Sequence, residues 1–266
     1  MLVFSDTLLK LKSEYKTPIL YYLKNGEQTL ELNPLIGKKL RIRHTGAINC
    51  IACGRKIKKT YAQGFCFSCF QTVPQADPSV IRPELDQSHL GIARDMEWAK
   101  RNNLIDHFVY LAISSSLKVG ITRYTQIPTR WIDQGAVQAI RIAKVPYRQL
   151  SGLIEVELKK HFADKTNWRK MLSNSIDTEI DLKQERDKAH RILNSKYSEY
   201  LINDEITSIE YPVLSFPEKV KSISLDKTPE FEGQLIGIKG QYLIFEDQRV
   251  LNIRKHNGYF VEIEQL

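Results

Sequence analysis

Cys50, Cys53, Cys66 and Cys69 are spaced C-x2-C-x12-C-x2-C. Two close thiol pairs separated by a short excursion can converge on one tetrahedral ion, and zinc is the default occupant of four thiolates. These are all the cysteines of the chain, so no thiol is left over for nucleophilic catalysis. One structural Zn2+ is the expected cofactor. Around the same loop stand Lys38, Lys39, Arg41, Arg43, Arg55, Lys56, Lys58 and Lys59, with no Asp or Glu from Lys38 to Lys59. A knuckle of that charge suits a phosphate backbone, which makes DNA or RNA the expected partner. Tyr61, Phe65, Phe67 and Phe70 interleave the loop and are expected mainly to pack around the thiolates.

A second set of residues could cut a phosphodiester: Tyr110, Lys118-Val119-Gly120, Arg123, Arg130-Trp131 and Glu155. A carboxylate can hold a divalent cation, an arginine can neutralise phosphate, and a tyrosine or lysine can assist proton transfer. On a strand over 107–113, Phe108, Tyr110 and Ala112 share one face, with Val109, Leu111 and Ile113 on the other. A returning strand over 117–121 would bring Lys118 and Gly120 near Tyr110, and a helix packed across could add Glu155. Spacing alone fits better a plainer reading, with a strand aromatic, a surface arginine and a solvent-facing helix acid. His107 and His161 read as structural histidines. Trp131 reads as core, and Trp168 beside Arg169 is the better candidate for stacking on a base.

Along its length, the chain divides into a β segment over 1–49, a four-cysteine zinc knuckle over 50–73 and a proline-broken connector over 74–105. An α+β module over 106–175 follows, then a helical and extended segment over 176–229 and a β segment over 230–266. Ser151 is placed as the cap of a helix reaching about Ala163, with Ile154, Leu158 and Phe162 on one face. The highly charged run from Leu182 to about Leu201 reads as a wet surface helix. Strands over 234–238, 241–245, 250–253 and 259–263 leave too little core for a separate domain. They are therefore expected to pack on the N-terminal strands.

The run V-Y-L-A … L-K-V-G-I-T-R … R-W … E-V-E-L-K-K-H-F over about 107–172 resembles the GIY-YIG endonuclease superfamily. Nearly the whole chain also resembles DUF2797, a family of uncharacterised bacterial proteins. That likeness lies in C-x2-C-G-R-K-x-K-K-x-x-x-Q-G-x-C, R-P-E, V-G-I-T-R, P-T-R-W-I-D-Q-G-A and G-Q-Y-L-I-F … L-N-I-R-K. The first resemblance implies a small sheet with packed helices. It assigns Tyr110 to the first signature, Gly120 to the close of the second, Arg130 to the following helix and Glu155 to the metal-binding acid. Lys118 stands where the best-known nuclease branch has its second tyrosine, and Val109 replaces an isoleucine. The lysine leaves the general base unassigned between Tyr110 and Lys118. Glu157 is the competing carboxylate. The implied chemistry is hydrolysis with one Mg2+ or Mn2+ on Glu155, Tyr110 at the attacking water and Arg130 on the phosphoryl oxygens. Lys118 and Arg123 would seat the backbone.

The formal charge of +8 falls to about +6 when four thiolates hold one Zn2+. Near Met1 there is no apolar run with a small-residue cleavage site, and no stretch is long enough to span a bilayer. Paired cysteines suit a reducing compartment, so a cytoplasmic protein with no membrane partner is expected. The leading reading is therefore an α+β zinc-knuckle protein, with a GIY-YIG-like module and a β-rich domain from both chain ends, that binds nucleic acid. Metal-dependent hydrolysis is the activity the resemblance implies, and whether this chain is an enzyme stays open. The rival is a non-catalytic DNA- or RNA-binding or ribosome-associated protein, and a third reading is a protein–protein adaptor.

Overall fold

The computed structural model of the chain describes residues 1–163, 165–177 and 179–266. It divides into two compact units. The first contains Met1–Gln71, Leu172–Asn174 and Glu210–Leu266, and the second contains Thr72–Met171 and Ser175–Ile209.

In the first unit, strand Lys39–Asn49 sits inside a large sheet, with Tyr259–Gln265 on one side and Glu230–Lys239 on the other, both antiparallel. Leu2–Thr7 extends the sheet beyond Tyr259–Gln265. Tyr242–Phe245, Arg249–Asn252 and Lys221–Ile223 extend it beyond Glu230–Lys239, the last in parallel. Strands from both ends of the chain thus share one sheet. Alternation along Lys39–Asn49 explains its two faces: Leu40 and Ile42 are buried in the core with Val261 and Ile263, whereas Arg41 and Arg43 project outward. A separate sheet pairs Lys12–Glu14, Leu20–Asn25 and Gln28–Glu31.

The second unit is built on an antiparallel sheet in the order Thr207–Ser208, Gln138–Val145, His107–Ile113, Leu117–Arg123. His107–Ile113 is flanked by a strand on each side and every one of its residues is buried. Its β-branched and leucine residues Val109, Leu111 and Ile113 form one core with Leu150, Ile154 and Leu158 of helix Arg148–Leu158. Leu182, Ala189, Leu193 and Tyr197 join that core from helix Leu182–Tyr197. This last helix corrects the wet-surface expectation on one side only. Its charges face water, but positions spaced seven, four and four apart form a stripe that covers the sheet.

Helix Arg148–Leu158 also begins three residues before the expected cap. Tyr147 occupies the N-cap position, and the Ser151 hydroxyl, inside the helix, donates to the Arg148 carbonyl at 2.6 Å. The early start has a tertiary cause. The Arg148 amide donates to the Asn103 carbonyl at 2.8 Å, and its guanidinium donates to the carbonyls of Ser79 and Val80. The helix ends at Leu158, yet Phe162 beyond it still reaches the core. No helix among the described residues is long and apolar enough to cross a membrane.

Candidate functional site

Two groups of residues carry chemistry, one in each unit. In the first unit, the cysteine ligand atoms all lie within 4.8 Å of one another. A tetrahedral zinc with Zn–S near 2.3 Å requires sulfur–sulfur edges of about 3.8 Å. The Cys53 and Cys66 sulfurs are 3.9 Å apart. Backbone amides already serve the sulfurs, from Cys66 to the Cys50 Sγ at 3.2 Å and from Cys69 to the Cys66 Sγ at 3.4 Å. Burial raises the Cys50 thiol, but the amides of Cys66, Cys53 and Ala52 outweigh it and bring it down to about 6. Cys69 is pushed up to about 12 by the Cys66 thiol first and by burial second. Four thiolates this close repel one another, and a divalent cation is what would let all four ionise together. The donor set is compatible with structural zinc.

The cations around the knuckle separate into two classes. On strand Lys39–Asn49 the register places Arg41 opposite both Glu232 and Glu264, and Arg43 opposite both Glu230 and Glu262. Arg41 accordingly pairs with Glu232 at 2.7 Å and Glu264 at 2.9 Å, Arg43 pairs with Glu262, and Lys39 pairs with Glu232 at 2.8 Å. These cross-strand pairs occupy three of the expected phosphate-binding residues. Lys38, Arg55, Lys56, Lys58 and Lys59 are exposed, and none has an ion-pair partner among the described residues. Lys59 lies over the Tyr61 ring, 5.0 Å from its centroid.

In the second unit the hairpin His107–Ile113 and Leu117–Arg123 puts Tyr110 directly opposite Gly120, and Lys118 opposite Ala112. The glycine is a steric requirement. A β-carbon at position 120 would stand 2.6 Å from the Tyr110 hydroxyl and 2.7 Å from its ring, so the phenol lies across the space glycine leaves. Tyr110 is fully buried, edge-on to Trp131, and its hydroxyl donates to Gln134 Oε1 at 2.9 Å. Arg130 stands one helical turn before Gln134, and its charge and that of Glu155 act on the same hydroxyl in opposite directions. Burial raises the Tyr110 pKa and Arg130 opposes the rise.

Glu155 is buried and is paired with Lys159 Nζ at 3.2 Å. Glu157 is more exposed and is held by Lys160 at 2.8 Å, which lowers its pKa. Lys118 is buried and donates to Thr166 Oγ1 at 2.9 Å. Arg123 donates to the Asn102 side chain at 2.5 Å, and burial lowers its pKa. Tyr110 thus lies within the electrostatic influence of Arg130 and Glu155, while Lys118 is engaged with Thr166. Trp168 is half-buried with the Arg169 guanidinium 4.4 Å above its ring.

Sequence reasoning missed three members of this cluster. Arg148 is within electrostatic range of Asp86, Arg130, Glu155 and Arg123. Asp86 is buried and accepts from Ser88 and from Asn103 Nδ2 at 2.6 Å. Gln134 anchors the phenol, and the only early signal was its place one helical turn from Arg130. Gly152 explains how the polar turn carrying Asp86 comes so close. A β-carbon there would meet the Glu84 amide nitrogen at 2.4 Å and the Pro83 carbonyl carbon at 2.6 Å, so only glycine admits this backbone against the helix.

His107, wholly buried, feels the charges of Arg148, Arg123 and Asp86. Its Nδ1 is 2.8 Å from the Ile105 carbonyl, which assigns it the proton, and its Nε2 has no hydrogen-bond partner among the described residues. Burial first, then Arg148 and Arg123, push its pKa down to about 4. The unfolded chain takes up a proton near pH 6.5 and the folded one only near pH 4, so stability falls as pH drops through that window. From pH 7 to 4.5 this group should cost the second unit roughly 2–3 kcal/mol. Urea melts of wild type and His107→Gln at both pH values check it, and equal acid losses in the two proteins would refute it.

A family model described as "Protein of unknown function (DUF2797)" matches residues 37–261. No curated protein and no solved structure matches the chain.

Proposed function

The chain belongs to the DUF2797 family, whose description names no activity, and from the chain's own residues we infer that it is a nucleic-acid-binding zinc protein. The observation that carries this reading is charge without a counter-charge. Residues 32–76 contain no Asp or Glu, and Arg55, Lys56, Lys58 and Lys59 remain exposed after the cross-strand pairs are formed. A zinc tetrathiolate contributes a net charge of about −2, which four cations exceed. A polyanion is the ligand that such a surface recognises.

We further propose that the second unit presents a phosphodiester site related to the GIY-YIG hydrolases. Arg123, Arg130 and Arg148 outnumber Asp86 and Glu155, so the cluster favours an additional anion. Arg130 would receive the phosphoryl oxygens. Tyr110, held by Gln134, would orient the proton-bearing group rather than ionise, since burial disfavours its phenolate. Mg2+ or Mn2+ would be held by Glu155 and would supply Lewis-acid stabilisation of phosphoryl charge. Reaching that carboxylate requires displacing Lys159, a partly exposed partner one helical turn away. The same ion pair, with the full burial of Tyr110, favours a second reading in which nucleic acid is bound and not cut.

Incubation of purified protein with end-labelled single- and double-stranded DNA and RNA, with and without Mg2+ or Mn2+, tests both. Retention of any substrate with affinity that falls steeply with salt is expected for the binding reading. Metal-dependent cleavage is expected for the hydrolytic one. Protein that retains none of the four substrates at about 50 mM salt would overturn the proposed function.

A further inference from the structure

We propose that the zinc knuckle is a docking site for unpaired nucleotides, with Phe67 as the platform on which a base stacks. The inference rests on the nucleic-acid reading above and adds the class of nucleic acid that this surface takes.

The knuckle exposes a ring that ought to be buried. Small metal-centred loops need apolar packing, and Phe65 meets that need, with only 8% of its surface exposed. Phe67, two residues later, is 54% exposed. It opens the short helix Phe67–Thr72, in which no residue is buried. The ring is nevertheless held in place. Tyr61 lies against it at a centroid distance of 5.3 Å, and Phe70 stacks on Tyr61 at 5.9 Å with an interplanar angle of 22°. Lys59 caps the same tyrosine at 5.0 Å. An aromatic side chain fixed by its neighbours but open to solvent loses little freedom when a flat partner lands on it.

Arg55, Lys56, Lys58 and Lys59 on the same loop are all exposed, and Lys59 joins the aromatic group through Tyr61. Aromatic faces interleaved with cations along a short loop match the requirements of a single strand, whose bases offer free π-faces and whose backbone tracks positive charge. A duplex meets only half of these requirements, because its bases already stack on each other. An anionic bilayer would also satisfy the charge. Its insertion needs several aliphatic tips, whereas the only other exposed large hydrophobic side chain on the knuckle is Ile51, among the described residues.

The test measures fluorescence anisotropy with the full chain and four probes: a single-stranded DNA of about 20 nucleotides, the same sequence as RNA, a duplex of equal length, and phosphatidylserine-containing vesicles. Single strands are expected to bind about 10-fold or more tighter than the duplex. Phe67→Ala is expected to weaken single-strand binding roughly 10-fold or more and to leave duplex binding within about 2-fold. Phe67→Leu, which keeps apolar bulk without a π-face, should resemble alanine, and Phe67→Trp should match or exceed wild type. Zinc content at one ion per chain in each variant confirms that the knuckle is intact. Equal affinity for single strand and duplex, with Phe67→Ala neutral, overturns the stacking site and leaves the nucleic-acid reading standing. Absence of binding to every oligonucleotide overturns both. Vesicle binding without oligonucleotide binding assigns the surface to a membrane instead.

Discussion

Chelating the zinc, or replacing Cys66 by serine, should unravel the segment from Cys50 to Gln71 while the second unit stays folded. The reason lies in what holds that segment together. Its strand Lys56–Ile57 contributes two residues, and helix Phe67–Thr72 buries none of its own. The buried side chains near the thiols are few, chiefly Cys50, Phe65 and Cys66. So small a core cannot offset the entropy of ordering the loop, and metal binding to four thiolates, worth about 10–16 kcal/mol in comparable structural sites, must supply the difference. Limited proteolysis should cut the chelated protein between residues 50 and 71 and spare residues 107–113, whose strand is wholly buried. Affinity for oligonucleotides should fall in step, because Arg55, Lys56, Lys58 and Lys59 lose their arrangement. Protein isolated without zinc and yet resistant to cleavage in this segment would refute the metal centre.

Glu155→Ala should reduce metal-dependent cleavage by about 10²- to 10³-fold, the scale of losing a central electrostatic group from an enclosed site. The acid sits near the Tyr110 phenol and in range of Arg148, so no neighbouring carboxylate replaces it: Glu157 is committed to Lys160, and Asp86 to Ser88 and Asn103. Lys159→Ala should act in the opposite direction. Freed from its ion pair, Glu155 should hold the cation at lower Mg2+ concentration, shifting the metal dependence without changing oligonucleotide affinity. Circular dichroism on both variants separates a lost site from a lost fold. Wild-type cleavage that survives Glu155→Ala would dismiss this acid, and binding without cleavage in Mg2+ and Mn2+ would leave the non-catalytic reading in its place.

The local features were the ones that could be read early. The cysteine cluster depends on pairs three residues apart, a geometry fixed within one turn of chain, and its four sulfurs do converge. The strands over 107–113 and 117–121 needed only alternation; the second runs on to Arg123, and Tyr110 faces Gly120 across the hairpin. Helix limits were less legible. Ser151 has the chemistry of a cap, but Arg148 and its carbonyl partners started the helix one turn sooner.

The types and spacings of residues determined by themselves which groups could meet a metal or a phosphate, because thiol pairs, hairpins and charge runs act over a few residues. Only the tertiary structure decided which of those groups are still free. Arg41 meets Glu232 and Glu264 across separations of 191 and 223 residues. Glu155 acts on the Tyr110 phenol from a helix packed on its sheet, and Gly152 admits a distant turn beside that helix. Ion pairing and burial are set by strand register and backbone approach between remote segments, and no local pattern of residues encodes those distances.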